Sequence, residues 1–222
     1  MTLEDLIAQF RLDADDRVSS PLWSDEAVAA WFTEAVAEAA IRGRLIHESS
    51  LPAVCQIPVT IGTSTYPLHK ALHEIDYIAF KRTGATTSEP IKLMSREMMD
   101  KREPGWRERT GCVKYAIQND TSIRLAFTPD VTGTIFIEGY RVPLNPLEND
   151  SDTPEIHPSH HRKLVHWALF RAFSVPDSET VDKDRAEKAE RTFESYFGIR
   201  YDSDMHREFT HDTPHRNEVF WP

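Results

Sequence analysis

Four histidines, His157, His160, His161 and His166, form the most suggestive cluster of metal-capable side chains in this chain. On a helix starting near Pro158, His157 and His161 fall four apart and share a face, as metal-binding histidines on a helix must. No carboxylate or cysteine stands at a spacing that completes four ligands, so the expected reading is a polar helix start with no metal and no cofactor. The later histidines His206, His211 and His215 are equally loose. Glu187, Glu190 and Glu194 have the look of an acid/base set. Lysines and arginines lie between them, which marks a solvated helix face instead, and a hydrolytic carboxylate pair needs a concave site to shift its pKa.

Motif chemistry is thin elsewhere. There is no phosphate-binding G-x-x-x-x-G-K-[ST], no G-x-G-x-x-G, no G-x-S-x-G elbow and no H-E-x-x-H. The two cysteines, Cys55 and Cys112, make no CxxC pair and are expected to be reduced core thiols. A metal-dependent hydrolase, with its site spread over the 157–166 helix and a β-rich insert, stays open as the enzymatic alternative; the expectation is that the chain is not an enzyme.

The aromatic residues divide into two sets. Trp31, Trp167, Phe173 and Phe193 lie on apolar stripes and are expected in a core. Phe209, Phe220 and Trp221 sit in a polar, proline-ended tail with no local core to enter. Either they fold back onto their own domain or they anchor in another protein, since buried aromatics dominate interface energies.

These side chains are positioned by a recognisable order of elements. Thr2 caps a first helix carrying Leu3, Leu6, Ile7 and Phe10, followed by a polar link over 12–16. Ser24 caps a long helix with apolar residues at Val28, Trp31, Phe32, Ala35, Val36, Ala39 and Ile46. It is predicted to run to Glu48 as the alanine-lined central rod of a bundle. From Leu51 the pattern turns to short strands around Ile75–Phe80, Ile91–Met94, Cys112–Ile117, Ser122–Phe127 and Thr134–Tyr140, with a charged loop over Ser95–Thr110. Turn formers about every ten residues suggest a small antiparallel sandwich or barrel. Pro158 opens another helix; Asp177 or Ser178 caps the last one, which stops at Gly198. The predicted class is α+β: an antiparallel helical bundle (1–50 and 154–198) interrupted by a small antiparallel β module (51–153), with an extended C-terminal tail (199–222).

The formal charge is −10, and its acids are concentrated early: residues 1–50 hold ten Asp/Glu against four Arg. Such a chain lacks the basic footprint of a protein that grips DNA. No apolar run approaches the roughly 18 residues of a membrane span, so no membrane association is expected.

In order, these segments resemble those of bacteriophage head-to-tail connector adaptors, the tail tubular (gatekeeper) proteins and tail accessory factors. TLEDLIAQFRLDADD and PLWSDEAVAAWFTEAVAEAAIRGRLI resemble the leucine-rich first helix, Asp-rich link and long alanine-rich helix of that family. TSTYPLHKALHEIDYIAF resembles its strand pair, and GCVKYAIQNDTSIRLAFTPDVTGTIFIEGYRVPL its hairpin series. HHRKLVHWALFRAF and VPDSETVDKDRAEKAERTFESYFGIR resemble its closing helix pair. The resemblance covers about residues 2–200.

The resemblance implies a structural virion protein of the neck between head and tail, assembled in the host cytoplasm. It implies a homododecameric ring beneath the portal protein that continues the DNA channel, with DNA only as passing cargo during ejection and a tail nozzle or stopper component as the next partner. A stopper-like tail-completion protein is the nearest alternative. By similarity the portal-clasping arm would start at Arg200 and carry Tyr201, Phe209, Phe220 and Trp221. Glu34 and Glu38 of the long helix become candidates for a channel-facing or inter-subunit face, where acids would let DNA slide.

Overall fold

A computed structural model describes residues 1–176 and 181–200. In chain order the helices are α1 (Leu3–Ala14), α2 (Asp25–Gly43), α3 (Pro52–Cys55), α4 (Arg96–Arg102), α5 (His161–Ser174) and α6 (Lys183–Phe197). The strands are β1 (His47–Glu48), β2 (Gln56–Val59), β3 (Thr65–Pro67), β4 (Leu72–Arg82), β5 (Glu89–Pro90), β6 (Lys92–Leu93), β7 (Thr110–Gly111), β8 (Tyr115–Gln118), β9 (Ser122–Leu125), β10 (Thr128–Pro129) and β11 (Gly133–Arg141). The class is α+β, as the sequence predicts. Contacts divide the described chain into a helical unit, 1–47 with 140–200, and a β-rich unit, 48–139.

In the helical unit, α1 starts on a capping box: the Asp5 N–H donates to Thr2 Oγ1 at 3.3 Å, and the Thr2 N–H donates to the Asp5 carboxylate at 3.0 Å. Leu3, Leu6, Phe10 and Ala14 face inward. The stretch expected to be a solvated link is more ordered than its aspartates suggest. Asp16 is buried, held by Arg11 and by the Leu22 N–H, while Arg11 also donates to the Trp23 carbonyl and to Asp25. A single guanidinium thus ties the end of α1 to the start of α2.

The periodicity predicts that α2 continues to Glu48, but the helix stops at Gly43. Arg44 adopts the left-handed conformation (φ 49°), and the N–H groups of Arg44 and Leu45 both donate to the Ala40 carbonyl, closing the end. The helix is therefore about 28 Å long; Ile46 reaches the core from extended chain instead. Nor is α2 the central rod. That place belongs to α5, which packs against α1, α2 and α6, with Leu164, Val165, Ala168 and Ala172 inaccessible to solvent.

Trp23 completes an aromatic cluster with Phe10 and Phe173, its ring centroid 5.6 and 5.7 Å from theirs, and Trp31 packs partly buried at its edge. Trp167, Phe193 and Phe197 form a second stack at the other end of α6. The segment 143–153, expected in the β insert, packs with the helices, as do residues 154–156 that follow it. Leu147 and Ile156 are in their core, the Leu147 N–H donates to Thr33 Oγ1, and the Asp152 and Asp150 carbonyls accept from the first N–H groups of α1. Of the predicted caps for α6, Asp177 and Ser178 lie outside the described residues; the helix begins at Lys183, capped by Asp182, whose side chain accepts from the Arg185 N–H. Its end at Gly198 (φ 94°) is as the sequence predicts.

In the β-rich unit, β11 lies beside β4 and β2, and β5 pairs with β4. A second sheet runs β3–β9–β8–β6. Pairing is mostly antiparallel, but β6–β8 and β7–β10 are parallel, which the turn spacing could not disclose. One face of the second sheet, with Tyr66, Leu93, Ala116, Ile123 and Leu125, is buried. Gln118 bonds β8 to the start of β4, accepting from the Ile75 N–H and donating to the His73 carbonyl. Gly139 is required by close approach: a Cβ there would lie 2.2 Å from the Glu74 carbonyl oxygen. The predicted charged loop 95–110 holds α4 and a 3-10 turn at Trp106–Glu108. Ser95 caps α4, Met99 and Trp106 are buried against Ile117 and Ala126, and the Trp106 indole donates to Asp100 at 2.8 Å.

Candidate functional site: the root of the C-terminal segment

The histidines are taken up by local structure rather than gathered. His161 is buried; its Nε2 donates to the Ile156 carbonyl at 3.0 Å, which leaves Nδ1 to accept from the Met1 ammonium at 3.2 Å. His157 accepts from the Ser159 N–H at the start of the 3-10 turn. His160 lies against Tyr196, 3.2 Å from its hydroxyl, and its pKa is lowered by burial and then by the neighbouring His157 and His161. His166 is also lowered, chiefly by burial and next by Lys163. Among the described residues no three His, Cys, Asp or Glu side chains are placed to hold a metal. His206, His211 and His215 lie outside the described residues. Cys55 is buried and Cys112 exposed, so only the first fits the expected core thiol.

The glutamates of α6 meet arginines: Glu187 pairs with Arg191 at 2.9 Å and Glu194 with Arg42 at 3.6 Å. The second contact belongs to the most connected polar group of the helical unit. Arg42, near the end of α2, lies over the rings of Trp167 and Phe193 at 5.1 and 5.3 Å, its side chain only 6% exposed. Its Nε donates to one oxygen of Glu38 at 3.0 Å, and its Nη1 reaches the Gly198 carbonyl at 3.5 Å. The other Glu38 oxygen accepts from Arg200 at 2.8 Å. A buried guanidinium needs a compensating carboxylate, and a carboxylate has two oxygens to share. Glu38 therefore fixes Arg42 inside and Arg200 outside, and the chain leaving α6 is held at a defined point.

Of the residues expected to form an arm, Arg200 is thus seated on its own unit through Glu38; Tyr201, Phe209, Phe220 and Trp221 lie outside the described residues. Glu38 is turned inward, whereas Glu34 is about a third exposed and pairs with Arg171 at 3.1 Å. Other early acids are likewise met by arginines from later in the chain, such as Asp13 by Arg162. The acidity counted over residues 1–50 is thus partly neutralised once α5 and α6 pack on α1 and α2. Arg42 was missed in the sequence; its spacing of four from Glu38 was the available signal. Beside this root, Tyr196 and Ile199 are exposed at 45% and 63%.

The model of the SU10 adaptor protein family matches residues 1–217, and the chain belongs to that family of phage head-to-tail adaptors. It is accordingly a structural adaptor, a component of the virion neck associated with portal and tail. No match is found among curated proteins. No helix of the described residues is long and apolar enough to cross a membrane.

Proposed function

We propose that the chain is the subunit of a ring, of twelve copies by the family resemblance, seated under the portal and continuing the DNA channel toward the tail nozzle or stopper. Residues 201–222 are its portal-binding arm. What supports this reading is the Glu38–Arg42–Arg200 group. An arm that must find a partner loses less freedom on binding if its root is already fixed, and Arg200 gives it that root. The aromatic residues Tyr201, Phe209, Phe220 and Trp221 supply the anchors, since large rings buried at a partner's surface carry most of an interface's energy. Glu34, the acid of the α2 pair that reaches solvent, is assigned to the channel or inter-subunit face. The test is assembly on purified portal rings, followed by electron cryomicroscopy. The full chain is expected to decorate the rings, and the Phe220→Ala/Trp221→Ala double variant to fold but not bind. Unimpaired decoration by that variant, or by a chain ending at residue 200, would remove the arm assignment.

A further inference from the structure

The β-rich unit carries a positive face in an otherwise acidic chain. In the second sheet Lys92 pairs with Tyr115 and Arg124 with Ile117, so these four side chains lie on the face that α4 and Trp106 pack against, opposite Leu93, Ala116 and Leu125. α4 and the 3-10 turn lie on this face and add cations. Arg102 sits over the Tyr115 ring at 5.0 Å, while Arg107 and Arg124 take the Trp106 ring at 4.4 and 5.0 Å. Asp100 neutralises Arg107 and Glu103 neutralises Arg109. Lys92, Lys101, Arg102 and Arg124 meet no carboxylate among the described residues, and the buried Nε of Arg124 has no acceptor there. The acids remaining nearby are Glu97 and Glu108.

Stacked guanidiniums keep their N–H edges free for an anion. The chain contains a matching one. Residues 201–222 hold Asp202, Asp204, Glu208, Asp212 and Glu218 against Arg207 and Arg216. Twenty-two residues starting from the Arg200 root reach at most about 75 Å when extended. We infer that the acid-rich part of the C-terminal segment, residues 202–218, docks on the cationic face formed by Lys92, Lys101, Arg102 and Arg124. The inference rests on the reading of 201–222 as an assembly arm, and gives its polar stretch a seat while the Phe220–Trp221 tip goes to the portal.

Zero-length carbodiimide coupling of the full chain, followed by mass spectrometry, tests it. Asp202, Asp204, Glu208 or Asp212 is expected to be joined to Lys92 or Lys101, and high salt should suppress these links. In the Lys92→Glu/Lys101→Glu variant, with its circular dichroism unchanged, the links should vanish and tryptic cleavage at Arg207 and Arg216 should accelerate several-fold. Links from these acids only to Lys163, Lys183 or Lys188, or unchanged cleavage in the variant, would overturn the inference. So would retention of duplex DNA by these lysines in place of the links. Portal binding is read separately: links without portal binding refute the arm's target and leave its seat standing, and portal binding without links does the reverse.

Discussion

Glu38 and Arg200 are separated by 162 positions in the chain and meet at 2.8 Å. The pair joins the last turns of α2 to the chain just past the end of α6. Its two partners differ in burial, the Glu38 side chain being 10% exposed and that of Arg200 61%. The asymmetry fixes what each loss should cost. Arg200→Ala removes a largely exposed pair, for which about 0–1 kcal/mol is expected. Glu38→Ala leaves Arg42 beneath Trp167 and Phe193 with only the longer, 3.6 Å carboxylate contact to Glu194 and should cost more, about 3 kcal/mol. Urea unfolding of the two variants checks this; equal losses would mean that Arg42 finds another partner.

Asp16 gives a second prediction from burial. Its side chain is inaccessible and accepts from both Arg11 and the Leu22 N–H. Asp16→Ala leaves both donors unmet and frees the turn that carries Trp23. A loss of about 3 kcal/mol is expected, against about 1 kcal/mol for the neighbouring exposed Asp15→Ala, where alanine must take up the left-handed backbone (φ 62°) that ends α1, measured by the same unfolding curves.

The contrast between Asp15 and Asp16 shows where the sequence was legible and where it was not. Capping residues act through bonds three or four positions away, so Thr2, Ser24 and Gly198 marked their helix ends correctly. The apolar stripes of α1, α5 and α6 were visible for the same local reason. Asp16, Trp23 and Arg42 are defined by partners on other elements, and in sequence each looks like a surface or boundary residue. Trp106 was hidden inside a charged run because its burial depends on Ile117 and Ala126, which the sheet brings to it. The long helix was overextended because Ile46 keeps the helical period although its backbone has already left the helix. The Glu38–Arg200 contact spans 162 positions, and no local pattern announces it.

Trp106 itself should tolerate little. Trp106→Ala empties a site where only 1% of the residue is exposed and should cost about 3–5 kcal/mol. Trp106→Phe keeps most of the volume but removes the donor to Asp100, whose pKa is held down first by Arg107 and then by this indole. A smaller loss than for the Ala variant is expected. Thermal unfolding should rank the variants in that order, and a Phe variant as unstable as the Ala variant would place the weight on the hydrogen bond instead.

Gly139 sits where β11 passes β4, and any side chain there meets the Glu74 carbonyl. Gly139→Ala must separate the strands or bend one of them, with an expected cost of at least about 1–3 kcal/mol. The loss should be read in the β-rich unit as faster amide exchange along β4 and β11, with α5 and α6 unchanged. Equal exchange in both units would show that the two do not open independently.

The lowered pKa values of His160 and His166 predict a dependence of stability on pH. Both start from an ordinary value near 6.5, and burial, the largest cause in each, favours the neutral ring in the folded chain. Below pH 6.5 the unfolded chain then binds more protons than the folded one, so stability falls as the pH drops through that value. The decline from these two groups ends once the pH is below their folded values. Carboxylates such as Asp100 and Asp152, whose folded values are lowered by hydrogen bonds, add their own loss only in more acid solution. His160→Gln and His166→Gln should each flatten the slope of unfolding free energy just below pH 6.5, and the double variant should flatten it further. A slope unchanged in the double variant would assign the pH response to other groups.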